Sequence, residues 1–365
     1  MAQRLRVVWP ALLALLVAGG FAASRLVSAG GDPLSLATLG TRYQNGDPSG
    51  TSGYDGQFAY YIALHPAPSG AAPFLDIPAY RYQRILYPLL AWALGLGNPD
   101  LIPWALLAVN LAAHFAGTWA LASILDRHRR WPGFALSYGL WVGLVAGVGL
   151  DLTEPLAYAL ICGAWLARER GRPNLGPLLI GLSLFCKETG VIFWGALLLA
   201  DLLNGAPRRT LWPLAAAGAG FVVWQIVLWR LFGRPGIGSG GDLSTPFEWI
   251  PFMGFLRIGA VEPAALALFG AIFGPAIILP AIWGIVAAAR QAARRNWAPE
   301  VWALLLNAAS IPFLPFSTFR EPLGLVRVAS GLVLATVLFG AARALRRPLA
   351  YALAWSALLA ILLNH

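Results

Sequence analysis

Charge is what this sequence has least of. Only 12% of its 365 residues are Asp, Glu, Lys or Arg, while 58% are hydrophobic and the mean hydropathy is +0.67. That scarcity excludes a water-soluble chain of one or two globular domains, because such domains carry about 25% charged residues. Lysine is nearly missing: among 26 basic residues, Lys187 is the single lysine and the others are Arg. Cysteine is limited to Cys162 and Cys186, both within apolar runs, so they read as buried free thiols and a disulfide has no support. The four histidines are scattered, which excludes a zinc-type cluster. The net charge of +10 does not point to nucleic acid, since the basic residues come in small groups between apolar runs rather than in one face or tail.

What is present belongs to a membrane. Sixteen Trp and 40 Gly suit packed membrane helices, where Trp lies at interfaces and Gly lets helices approach. The sequence therefore reads as one all-α, polytopic integral membrane domain over 1–365. After Arg4 and Arg6 an apolar run extends to about Val27. A signal peptide has a similar start, but this run is long and more runs follow, so it reads as an uncleaved first span. A span needs ~20 apolar residues.

Span one is 7–28, and a loop over 29–100 follows, rich in Gly, Pro, Tyr and charge. Within it Ile85–Leu96 is apolar but too short to cross, and reads as an interfacial or re-entrant helix. The second span is 101–124. Runs 133–150 and 155–167 are split by Asp151-Leu152-Thr153-Glu154-Pro155, and runs 175–186 and 191–203 by Lys187-Glu188-Thr189-Gly190. Then come 211–231, 263–289, 299–316, the cluster Thr318-Phe319-Arg320-Glu321-Pro322, 323–342 and 349–363. The expectation is about eleven transmembrane or re-entrant helices. With a cytoplasmic N-terminus, one face collects 16 basic and 4 acidic residues and the other 10 basic and 12 acidic, the asymmetry that the positive-inside rule describes.

The less basic face carries the chemistry. Its focus is Gly53-Tyr54-Asp55-Gly56-Gln57-Phe58-Ala59-Tyr60-Tyr61, one carboxylate on a glycine-flanked turn followed by aromatics. Tyr80-Arg81-Tyr82-Gln83-Arg84 follows. The same face holds Asp151, Glu154, Lys187, Glu188, Arg320, Glu321 and Arg327. Charges between apolar runs are costly, at least ~2.5 kcal/mol at a helix centre on insertion scales, so they pair or face a polar cavity. Structural roles stand beside each functional one. Asp55 is also a tight-turn residue, Lys187 an ion-pair partner for Glu188, and Asp151 or Thr153 a cap for the helix that Pro155 begins. Arg320 and Glu321 can pair with each other. Arg327 lies inside an apolar run, where a purely structural Arg is uncommon. Among the loop acids Asp32, Asp47, Asp55 and Asp76, only Asp55 has glycines on both sides and an aromatic run after it, so Asp76 is expected to matter far less.

In this layout, a first span followed by a long outer loop with an acidic residue soon after the span, the chain resembles the GT-C glycosyltransferases. These polytopic enzymes take sugars from polyprenyl-phosphate carriers. Tyr54-Asp55-Gly56-Gln57 is similar to the aromatic-Asp-Gly/Ala stretch of the mannosyltransferase-like branch, and Ile85–Leu96 to that family's short interfacial helices. The resemblance implies Asp55 as catalytic base and Lys187 and Arg327 as basic groups near the carrier phosphate. Arg81, Arg84, Asp151, Glu154, Glu188, Arg320 and Glu321 complete the expected substrate site. The expected partners are a polyprenyl-phosphate sugar donor, the lipid bilayer and an acceptor that the sequence does not name. Neither a metal nor a cofactor is expected, and nothing resembles the metal site of the oligosaccharyltransferases. The Arg- and Ala-rich composition points to a bacterial cell (inner) membrane, crossed many times. Short apolar pairs broken by polar residues also mark secondary transporters. That alternative is weaker, because the breaks sort to one face and no internal repeat links the halves. A non-catalytic, flippase-like partner is a third class.

Overall fold

The computed structural model describes residues 2–364, with side chains from 5 to 362, so the side chain of Arg4 lies outside the described residues. Among them helices are the only regular secondary structure. Five helices are long and apolar enough to cross a membrane. They are α1 (Ala2–Ser28) and, further along, Ile102–Arg127, Arg208–Phe232, Pro263–Ala293 and Pro322–Ala342. A sixth is a broken pair, Pro132–Gly139 and Val142–Gly149, bent by 57° between its halves.

Numbered in chain order, α2 (Gly56–Leu64) and α3 (Leu86–Leu94) fall in the loop after α1, and α4 is Ile102–Arg127. The second half of the broken pair is α5 (Val142–Gly149), followed by α6 (Glu154–Glu169). Next come α7 (Leu175–Leu184), α8 (Gly190–Leu203) and α9 (Arg208–Phe232). The last are α10 (Pro263–Ala293), α11 (Pro299–Ser310) and α12 (Pro322–Ala342). At 10 and 14 residues, α7 and α8 are shorter than a full crossing requires. The expected last span, 349–363, is instead a short α-helix, Arg346–Leu353, that tightens into 3₁₀ turns. The segment expected to be an interfacial or re-entrant helix, Ile85–Leu96, contains the nine-residue α3.

The helix that organises the rest is α12. Every residue from Ser330 to Ala341 is buried. A helix apolar on all sides belongs in the centre of a bundle, and α11 and α5 pack against this one. Trp141 lies just before α5. Its indole donates to the carbonyl of Val326 (2.8 Å) and to Ser330 Oγ (3.1 Å), which fixes the turn carrying Arg327. Around this centre α4 packs along α1 and α6, and α10 along α11. The outer helices leave large apolar side chains exposed, among them Leu16, Trp212, Val222 and Trp229. Patches of that kind mark surfaces that meet something other than water. Both cysteines are buried and free.

Candidate functional site

The loop that carries Asp55 is pinned by two glycines. Gly53 has φ +62°, a left-handed conformation that side chains rarely adopt, and a methyl group there would meet the backbone at Thr38 and Gly40. A methyl group on Gly56 would collide with the carbonyl of Leu150. The start of α2 therefore lies directly on the junction between α5 and α6. Asp55 occupies the position before α2, but its side chain makes no capping bond to that helix.

Instead the carboxylate bridges two arginines. Arg81 Nη1 donates to Oδ1 (2.9 Å) and Arg327 Nη2 donates to Oδ2 (2.7 Å). The Asp55 side chain is 29% exposed, on the rim of a cleft of about 620 Å³. The elements that line this cleft all end on one side of the bundle: the loop after α1, the α7–α8 junction, the stretch after α9 and the entry to α12. Burial raises the carboxyl's pKa, but Arg81, Arg327 and Arg84 outweigh it and hold Asp55 well below the usual carboxylate range.

Each arginine is tied to more than Asp55. Arg81 grips Asp76 through Nε and Nη2, both at 2.7 Å, and its guanidinium lies 4.0 Å from the Phe58 ring centre. Arg327 Nε donates to Glu154 Oε1 (2.7 Å) and its Nη1 to the Tyr54 hydroxyl (2.9 Å), which in turn donates to Glu321 (2.7 Å). Lys187 Nζ donates to the same Glu154 oxygen (2.7 Å). Arg84 makes a forked pair with Glu188 (2.9 and 2.6 Å) and also bonds the Tyr80 hydroxyl.

Of the expected residues, Asp55, Arg81, Arg84, Lys187, Glu188, Arg320, Glu321 and Arg327 line the cleft. Glu154 lies beneath it, fully buried, as counter-ion to Lys187 and Arg327. Asp151 is set further back. It is fully buried in a left-handed backbone conformation (φ +51°), and neither carboxylate oxygen has a partner among the described residues. Burial pushes its carboxyl well above the usual range, against the opposing Tyr87 hydroxyl and Arg25. The small cavity in front of it is shared with Asp55, Arg81 and Arg327.

Several alternative pairings do not form. Lys187 pairs with Glu154 rather than its neighbour Glu188, and Glu321 takes the Tyr54 hydroxyl rather than Arg320. Thr153 precedes α6 without a side-chain capping bond. Asp76, expected to matter little, is the bidentate anchor of Arg81 and its side chain is only 4% exposed. No local pattern marks it, because its partner lies five residues on, across the Ile77-Pro78 helix start. The cleft also takes in Asp242, Ser244 and Ser317, which come from polar stretches without motif.

Five basic and five acidic side chains line the cleft, so it is an ion-paired network rather than an open basic funnel. Its unspent donors are specific. Arg320 has no carboxylate within ion-pair distance among the described residues, and lies 5.6 Å from the Phe316 ring centre. Lys187 uses one of three N–H donors. No family model matches the chain, and neither a curated protein nor a solved structure does.

Proposed function

We propose that this protein is a membrane glycosyltransferase of GT-C type. It moves a sugar from a polyprenyl-phosphate carrier to an acceptor hydroxyl at the extracytoplasmic face of a bacterial cell membrane. The observation that carries this reading is the cleft. A carboxylate that stays ionised, held at the rim by two arginines, faces a 620 Å³ space where Arg320 and Lys187 keep donors free. In the proposed arrangement the N-terminus is cytoplasmic and 29–100 is the outer loop. The paired short helices α7 and α8 re-enter from the basic side, within a total of about eleven spanning or re-entrant segments.

The chemistry follows from the charges. The acceptor oxygen bonds to the anomeric carbon as the bond to the carrier phosphate breaks on the opposite side, which inverts the centre. The acceptor proton passes to Asp55, and a positioned base of this kind typically contributes ~10²–10⁴-fold. Two guanidinium partners make Asp55 a weak base, which suits proton transfer late in the step, after the hydroxyl oxygen has become acidic. The leaving phosphate gathers negative charge near Arg320 and Lys187, and electrostatic stabilisation there lowers the barrier. The step uses no metal and no cofactor.

The test is to incubate the purified chain with a panel of polyprenyl-phosphate sugars and an acceptor extract, and to measure released polyprenyl phosphate. Release from at least one donor is expected. No release from any donor, together with uptake of a solute into proteoliposomes, would replace this reading with a transporter.

A further inference from the structure

Away from the cleft, an open groove of about 960 Å³ runs between α4, α6 and α7. Small side chains line it, including Ala112, Ala116, Ala159 and Gly163. Along α6 it extends from Leu156 to Arg170, about 21 Å at 1.5 Å per residue. One leaflet of a bilayer core is about 15 Å deep, half of ~30 Å. The groove is therefore long enough to take lipid chains from the basic end through that leaflet.

The basic end of the groove is defined by two arginines. Arg170 and Arg172 line its mouth and are exposed. Their neighbours are already neutralised: Arg168 pairs with Asp201 and Arg127 with Glu169. No carboxylate lies within ion-pair distance of Arg170 or Arg172 among the described residues. Arg170 lies 5.5 Å from the ring centre of Trp119, which is itself a groove residue. An open apolar groove that ends in two uncompensated guanidiniums matches one ligand shape, a pair of acyl chains under an anionic headgroup. Basic pockets between membrane helices bind such headgroups. A second copy of the chain fits worse, because a symmetric pair in one membrane would set like Arg clusters at the same level.

We propose that this groove is a binding site for an anionic glycerophospholipid, its chains against α4 and α6 and its phosphate on Arg170 and Arg172. The proposal rests on the helices crossing a membrane and is independent of sugar transfer.

The experiment uses the full chain in phosphatidylcholine vesicles containing phosphatidylglycerol or phosphatidylcholine with brominated chains at equal mole fraction. Bromine quenches nearby tryptophan, and the Trp119 signal is the difference between wild type and Trp119→Phe. Half-quenching should need roughly 10- to 30-fold less of the anionic lipid, given two arginines and about tenfold per 1.4 kcal/mol. R170Q/R172Q should close that gap, and R170K/R172K should keep most of it. Ala116→Phe, which fills the groove, should remove Trp119 quenching by both lipids. Equal half-quenching by both lipids in wild type would overturn the proposal. So would a gap that survives in R170Q/R172Q, or full quenching in Ala116→Phe.

Discussion

Asp55 and Asp151 lie on the same small cavity, yet their surroundings drive them to opposite states. Asp55 has two arginines and is held ionised, so its contribution to stability is present above the ordinary value of 3.8 and is lost as pH falls below it. Burial raises Asp151 instead, so the sign reverses: stability is greatest below 3.8 and declines as pH rises toward its raised folded value. Asp151→Asn should therefore leave transfer activity nearly intact. It should also make the protein more stable at pH 7 than wild type, with the advantage shrinking toward pH 4. Thermal denaturation of both proteins across that range checks the sign. Asp76→Asn should behave as a positioning defect. It weakens the fork that aims Arg81 at Asp55, so kcat/KM should fall about tenfold or more through a charge-assisted hydrogen bond worth ~1.5–3 kcal/mol. Loss of less than twofold in steady-state kinetics would count against it. Asp55, Arg81, Arg84, Glu188 and Arg327 were legible because their own neighbourhoods mark them, by flanking glycines, aromatic interleaving or an apolar run. Asp76 and Asp242 were not, because their roles come from contacts made across the fold.

Among the elements, the long helices follow directly from apolar runs, since a run near 20 residues has few other destinations. The breaks are less readable. Nothing in Leu140-Trp141 announces the 57° bend, at which Trp141 bonds to the central helix. The seating of α2 depends on Gly56, whose glycine-ness looked like turn chemistry but answers a close approach to the Leu150 carbonyl. Gly56→Ala should displace α2 or strain it, a cost of ~1–3 kcal/mol for overpacking, and should reduce activity along with stability. A melting temperature in detergent equal to wild type would show that the helix shifts freely. Gly220, exposed on α9 with nothing near it and no left-handed backbone, is the control position for the same change.

For the molecule as a whole, the ion pairs agree with the division of charge read along the chain. Arg6–Asp126, Arg127–Glu169, Arg168–Asp201 and Arg343–Glu300 join residues of the basic face, while the Asp55 network joins only residues of the other. Which helix ends would meet was legible as a sorting of charge. How they interlock was not, because it depends on packing around α12. Single cysteines introduced at Arg129 and at Asp47 in a chain lacking Cys162 and Cys186 should react with an impermeant maleimide from opposite sides of a sealed vesicle. Labelling from the same side would undo the proposed topology. The central claim is that Asp55 carries out sugar transfer, and the most direct test is polyprenyl-phosphate release by wild type and Asp55→Asn, with Asp151→Asn as the matched buried control. Asp55→Asn should still insert and bind donor but lose ~10²-fold or more of turnover, while Asp151→Asn retains it. Turnover of Asp55→Asn close to wild type would rule out Asp55 as the base and leave it as a structural bridge between Arg81 and Arg327.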